Sequence, residues 1–442
     1  MPETVDVAVV GAGLSGLAAA RALAREGRSV TVLEARERVG GRIETHSFAD
    51  GTTTELGATW IGARHGRVRA LAAELGLETV RDEAHGRPVA VGEPPAAAAR
   101  LRDRVARRLA TEWLERAARR VPLDRPWEAP RAERLDAGSL EEWLARNVPF
   151  AKARAGLRGL LEGVFAADAA RVSALWALFY LHAGGGLREL VASHGSGAQE
   201  LRVAGGLDEL CRRLAEPLGA DLVLGAPVTA VRWSDKRATV EAAGRAVHAR
   251  RVILALPPAA LAAIEFEPLP EGRAALVRGL PHGDVAKACA LYPSPFWRGR
   301  GLDGSAWGRG LGASLVVDLS PPGGEGGVLG VYWIGEPAIA LRALPPPERA
   351  ERAVAALERA FGAEAGRPLE VVVRDWTEER FTGGCWGAFL PPQALTRHGA
   401  ELRRPLGPLH WAGTETAREG CGYLEGALEA AERAAAEVAA AL

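Results

Sequence analysis

The 442 residues exceed what one simple core holds and suit two domains. The 55 Lys and Arg balance 55 Asp and Glu, so the chain has neither a basic field for nucleic acid nor an acidic tail. Hydrophobic content of 48% and charged content of 25% are those of a soluble globular protein, and the longest apolar stretch, Val252 to Ile264, is broken by Pro257-Pro258, too early to span a bilayer.

The chain begins on a strand, Val5 to Val10, which runs into Gly11-Ala12-Gly13-Leu14-Ser15-Gly16. A helix pattern follows over Leu17 to Ala24, then a strand over Ser29 to Leu33 closed by Glu34. This is a dinucleotide-binding fingerprint in context. Gly11 serves the tight turn, Gly13 the approach of a pyrophosphate, Gly16 the helix–strand packing, and Glu34 the ribose hydroxyls. The bland alternative is a structural glycine turn in an ordinary βαβ unit. Ala35 and Arg36 lead to a second turn, Gly40-Gly41-Arg42, which adds backbone N–H groups and a cation near the phosphates. That addition favours FAD over a nicotinamide cofactor.

Further along, Asp50 to Thr54 reads as a strand and turn, and Gly57-Ala58-Thr59-Trp60 as a close backbone approach. Val68, Leu71, Ala72 and Leu75 recur at helical spacing. Residues 95–120 read as an Arg-rich helix with Leu101, Val105, Leu109 and Trp113 on its apolar face, its charges a solvated surface rather than a nucleic-acid or membrane site. Helices are expected over Leu140 to Leu161 and Ser173 to His182. Strand, turn and helix return at Leu201 to Leu207, with strands over Asp221 to Leu224, Val228 to Trp233, Ala238 to Ala242 and Arg251 to Leu256. Strands and long linkers fill 285–345, with a flexible tip at Pro321 to Gly327. A helix covers Glu348 to Phe361, and His410 to Glu415 makes another strand-to-helix turn before a terminal helix from Tyr423. Cofactor-type elements at the start, middle and end imply a discontinuous cofactor domain (1–80, 199–276 and 380–442). Residues 81–198 and 277–379 would then build a substrate domain.

Two compositional points bear on chemistry. Cys211, Cys289, Cys385 and Cys421 form no C-x-x-C pair and show no zinc spacing, so no metal site is expected and a reducing cytoplasm is the default. Lysine is nearly absent: only Lys152, Lys236 and Lys287 occur, the last in the apolar run Val285 to Leu291. Scarce Asn, Gln and Met fit either heat adaptation or GC-rich coding.

Gly11 to Arg42, with Phe381-Thr382-Gly383-Gly384-Cys385-Trp386 and Ala412-Gly413-Thr414-Glu415-Thr416-Ala417 followed by Gly422-Tyr423-Leu424-Glu425-Gly426-Ala427, resembles the flavin monoamine oxidase family. Shorter matches fall in order at Gly57 to Trp60, Arg202 to Gly206, Asp284 to Lys287 and Pro295 to Trp297. The resemblance implies a mixed α/β fold, with a Rossmann-like FAD domain and a second domain of mixed sheet and helices. It implies oxidation of a primary amine to imine and aldehyde, with O2 reduced to H2O2.

By the same resemblance, Lys287 holds a water near the flavin, and Tyr423 and Trp386 form an aromatic cage for the amine. Many relatives carry Tyr where Trp386 stands. Trp376 lies beside the flavin ring. Cys385 matches the position that bonds the flavin 8α-methyl in some members, and both attached and unattached FAD remain open. The cofactor set is Gly11, Gly13, Ser15, Gly16, Glu34, Ala35, Arg36, Gly40, Gly41, Arg42, Gly57, Ala58, Thr59, Trp60, Val228, Trp376, Cys385, Gly413, Thr414, Glu415, Tyr423 and Leu424. The expected partners are an amine and O2, with no nucleic acid; a homodimer is left open. Mitochondrial members continue into a membrane anchor, whereas this chain ends at Leu442, so a soluble protein is expected. The rival readings are an amino-acid or polyamine oxidase, a desaturase-type flavoprotein, and a non-enzymatic flavoprotein scaffold.

Overall fold

In a computed structural model, the chain is described except for residues 1–3, 82–85, 93–100, 193–196 and 270. The apolar strand Thr4–Val10 lies near the centre of an eight-stranded sheet. It pairs in parallel with Val30–Leu33 on one side, Val7 opposite Val30. On the other side it pairs in parallel with Arg245–Leu254, Val10 opposite Leu254. Where they pair most closely, Val7, Ala8, Val9, Val10, Val32, Leu33, Val252, Ile253 and Leu254 are buried, a continuous apolar run in each strand. The late strand Leu409–Trp411 joins the same sheet, parallel to Arg245–Leu254. The first helix, Leu14–Arg25, turns Leu17, Ala20 and Leu23 into a core shared with Leu428, Ala431 and Val438 of the last helix, Leu424–Ala441.

A six-stranded sheet forms the second layer system. Its strand Val285–Tyr292 is buried at every position, antiparallel to Gly327–Ile334 and Glu370–Asp375. A third, helical core gathers around Ala174–Ala183, nine of whose ten residues are buried.

Three expectations need correction. The expected helix over Leu140 to Leu161 is two helices, Leu140–Asn147 and Ala151–Phe165. Pro149 lies between them; it has no N–H to give and drives its predecessor out of the helical region. In the Arg-rich helix, described over Leu101–Ala118, the stripe of Leu101, Val105 and Leu109 is not the covered one. Ala110, Leu114 and Ala118 pack inward, while Leu101, Val105 and Leu109 are 69%, 49% and 37% exposed. Small alanines allow close helix approach yet contribute little to a pattern weighted by large side chains. The 95–100 part of that reading lies outside the described residues. The linker expected before residue 345 contains a helix, Glu336–Arg342, which opens on Gly335 at φ +69.

Candidate active site

The first turn is built for backbone approach. Gly11 has φ +100, and a β-carbon there would lie 2.8 Å from the Ala255 carbonyl. A β-carbon on Gly16 would lie 1.9 Å from the Gly11 carbonyl, so the helix sits directly on the turn. Gly13 differs: its nearest neighbour would be the Gly40 carbonyl at 4.0 Å, which leaves open space in front of it. The second turn is bound to the first, Gly40 N–H donating to the Ala12 carbonyl at 2.9 Å. Helical bonding starts only at Leu17 N–H to Gly13 O, 3.0 Å. The N–H groups of the first helical turn therefore have no partner within the helix and form an anion-binding end.

Polar side chains surround this cradle. Buried Glu34 accepts from Ala12 N–H at 2.8 Å and Arg36 N–H at 3.0 Å. Arg36 lies 3.3 Å from Glu379 and donates to Thr382 at 2.6 Å. Arg42 grips Glu415 through two bonds, 2.7 and 3.1 Å, and donates to the Trp386 carbonyl at 2.6 Å. Burial opposes ionisation of Glu415, and Arg42 more than offsets that, so the carboxyl sits below its ordinary pKa. Ser15 accepts from Gly413 N–H at 2.9 Å, which ties the first turn to the last.

One cavity of about 1160 Å³ runs from the cradle into an aromatic chamber. Gly11, Gly13, Ser15, Glu34, Ala35, Arg36, Gly40, Gly41 and Arg42 line it, as do Gly57, Ala58, Thr59, Trp60, Val228, Cys385, Trp386, Gly413, Thr414, Tyr423 and Leu424. Gly16, Lys287, Trp376 and Glu415 do not; they stand behind the wall. Trp376 backs Gly57, where a β-carbon would come within 3.0 Å of its ring, and its indole N–H donates to the Leu56 carbonyl at 2.9 Å. Lys287 is 2% exposed. Its ammonium donates to Thr59 Oγ1 at 3.2 Å and lies 5.0 Å from the centre of the Tyr332 ring; both partners line the cavity.

The chamber wall carries strain and burial. Trp386 has φ +61, a left-handed conformation unusual for a bulky side chain. Tyr423 caps the last helix, and its ring centre lies 6.3 Å from that of Tyr180 and 5.6 Å from that of His65. Burial pushes the Tyr423 phenol up to about 12. Burial takes His65 down to about 4, so it is neutral near neutral pH. Burial also pushes the Cys385 thiol up to about 11, against the pull of the Trp386 backbone, Arg42 and Lys287.

Two aromatic residues of the chamber were missed in the sequence: Tyr180 and Tyr332. A signal was available. The chain has four tyrosines, and three of them, Tyr180, Tyr332 and Tyr423, line this one cavity.

Residues 14–439 match the model for flavin-containing amine oxidoreductases. The chain belongs to this family. As a flavin-containing amine oxidoreductase it is an FAD-dependent enzyme acting on amines. It is 39% identical to AofH of Mycobacterium tuberculosis, named as a flavin-containing monoamine oxidase, over 100% of this chain and 98% of that one. It is 32% identical to human amine oxidase B, over 99% of this chain and 86% of the relative. Among solved structures, putrescine oxidase bound to putrescine superposes with a TM-score of 0.93 at 33% identity, and cyclohexylamine oxidase from Brevibacterium oxydans with 0.92 at 30%; each match covers 99% of both chains.

The residues fit FAD. The open space before Gly13, the free first turn of the helix and the carboxylate of Glu34 suit its adenosine diphosphate half. The aromatic chamber suits its ring. Among the described residues no cluster of three metal-ligating side chains occurs, and no helix is long and apolar enough to cross a membrane.

Proposed function

We propose that this flavin-containing amine oxidoreductase oxidises primary amines with an apolar body. The imine formed is hydrolysed to an aldehyde and ammonia, and O2 is reduced to H2O2. The carrying observation is the single cavity that joins the dinucleotide cradle to a chamber walled by Trp60, Tyr180, Tyr332, Trp386 and Tyr423. Bound FAD supplies the oxidant, taking a hydride equivalent from the carbon next to nitrogen and delivering the electrons to O2.

The chain's own side chains position the reactants. Trp386 and Tyr423 hold the amine between two aromatic faces and keep water away. Lys287 holds a water beside the ring, steadied by Thr59. Leu190, Leu315 and Ile334 line the same cavity and suit an apolar substrate body. Of the four arginines that line it, Arg36, Arg42 and Arg158 are bound to carboxylates and Arg380 lies 5.0 Å from the centre of the Phe381 ring, which disfavours a clamp for an amino-acid carboxylate. A buried, neutral Cys385 thiol favours non-covalent FAD, because the thiolate is the reactive form. Acid precipitation reads this directly: the yellow colour stays in the supernatant, and a yellow pellet overturns it.

A diamine is the second reading, favoured by Glu336 among the lining residues, since a carboxylate can receive a distal ammonium, whereas Glu162 and Asp168 are paired with Arg158. A peroxide-coupled screen of benzylamine, cyclohexylamine, butylamine, putrescine and amino acids separates the two. Apolar monoamines should give the highest kcat/KM. Putrescine well above butylamine would establish the diamine reading, and no peroxide from any amine would overturn both.

A further inference from the structure

The helix Ala151–Phe165 carries Gly156, Gly159 and Gly163. Its buried face is Ala153, Leu157, Leu161 and Phe165, packed into the helical core. Gly159 and Gly163 stand four residues apart, on one face, and line the active-site cavity together with Leu160, Val164 and Ala167. Glycine inside a helix lowers its stability relative to alanine, so it calls for a reason. Backbone conformation supplies none, since neither glycine has a positive φ. Close packing supplies none either: a β-carbon added at Gly159 or Gly163 would meet nothing within 4 Å. What the missing side chains leave is room in the cavity.

That room leads outward from the chamber. The helix is capped at Ala166, whose carbonyl accepts from Asp284 N–H at 3.0 Å and which packs in one cluster with Tyr332, Trp376 and Cys385. Tyr332 and Cys385 line the cavity at this end. Toward the other end, Leu160 and Val191 line it too and are 45% and 39% exposed, so the cavity opens to solvent there. From Ala166 back to Gly159 the helix rises about 10 Å, at about 1.5 Å per residue. We propose that Gly159 and Gly163 are specificity-determining residues: they keep open a channel of about 10 Å for the body of an amine whose nitrogen lies between Trp386 and Tyr423. The inference rests on the proposed function and names its substrate class, primary amines with a long apolar tail. Leu160, Val164, Leu190 and Val191 give the channel apolar sides. The charges of this helix that reach the cavity are paired, Arg158 with Glu162 and Asp168, so an uncharged tail suits the channel better than a second ammonium.

Peroxide release by the holoenzyme reads the channel as a ratio, kcat/KM for octylamine over kcat/KM for butylamine. Gly163→Leu should lower that ratio about tenfold, and Gly159→Leu should lower it in the same direction. Gly156→Leu is the control. It lies on the same helix with the same open space around it, but outside the cavity lining, so the ratio should stay within about twofold of wild type. Gly163→Ala serves as a second variant should the leucine disturb folding or flavin content. It should lower the ratio too, while the flavin-free protein melts no lower than wild type, because alanine is the better helix former. A ratio unmoved in both Gly163 variants, or lowered as much by Gly156→Leu, overturns the channel. Peroxide from benzylamine but not from octylamine in the wild-type protein also overturns the channel alone. Peroxide from no amine overturns the proposed function.

Discussion

Arg42 and Glu415 stand 373 residues apart in the chain and meet in a two-pronged ion pair at the edge of the cofactor cradle. Glu415 is 6% exposed, and the same guanidinium also holds the Trp386 carbonyl, so the pair links the second glycine turn, the chamber wall and the last turn. Removing one partner leaves a buried charge without its counterpart. Glu415→Ala should therefore cost roughly 3 kcal/mol of stability in denaturant unfolding and lower the flavin content of the purified protein. A loss under about 1 kcal/mol with full flavin content would show that the pair is not a joint.

The glycines of the first turn should separate folding from cofactor binding. A methyl on Gly16 meets the Gly11 carbonyl at 1.9 Å, whereas one on Gly13 meets nothing closer than 4.0 Å. Gly16→Ala should lower the melting temperature of the flavin-free protein. Gly13→Ala should leave that melt unchanged and weaken FAD binding, read by flavin fluorescence titration. Equal melting losses in both variants would contradict this.

Tyr180 packs its ring 5.1 Å from that of Phe165 and 6.3 Å from that of Tyr423. It lines the chamber beside Tyr423. Tyr180→Phe keeps the ring and deletes the buried hydroxyl, a polar group whose interactions are worth about 1 kcal/mol. KM for the best amine should rise about fivefold at nearly constant thermal stability. An unchanged KM would remove Tyr180 from the site.

His65 and His282 are both taken by burial from 6.5 to about 4. A folded-state pKa below the unfolded one means that the unfolded chain binds the proton first. The stability they contribute is present above pH 6.5 and is lost as pH falls toward 4, at up to about 1.4 kcal/mol per pH unit per histidine. Urea unfolding of the flavin-free protein at pH 7, 6 and 5 should show the decline. His65→Gln should flatten it, since a glutamine oxygen can replace the acceptor that Gly62 N–H uses at 2.9 Å.

The cofactor half of the site was legible because its chemistry is backbone chemistry. Gly11, Gly13 and Gly16 leave a spacing in the sequence that no other need explains as well, and Glu34 closes it. The chamber was legible only in part. Tyr423 and Trp386 sit in a recognisable terminal motif, but Tyr180 comes from a helix whose sequence carries no site motif, and Tyr332 from a strand whose register with Lys287 depends on long-range pairing. The face of the Leu101–Ala118 helix was misread for a related reason: which stripe is covered depends on the partner helices, not on the stripe.

The bond from Gly413 N–H to Ser15 Oγ spans 398 residues of sequence. The strand Leu409–Trp411 and the helix Leu424–Ala441 complete a sheet and a core that the first thirty residues begin. During synthesis, the opening βαβ unit leaves the ribosome long before the partners that cover it exist. Pairings this distant close late. A cradle built from both regions should therefore take up flavin only once the strand Leu409–Trp411 and the turn at Gly413 have been made. Expression without enough riboflavin should yield folded, colourless protein that turns yellow when FAD is added, rather than chains stalled half-folded for want of it.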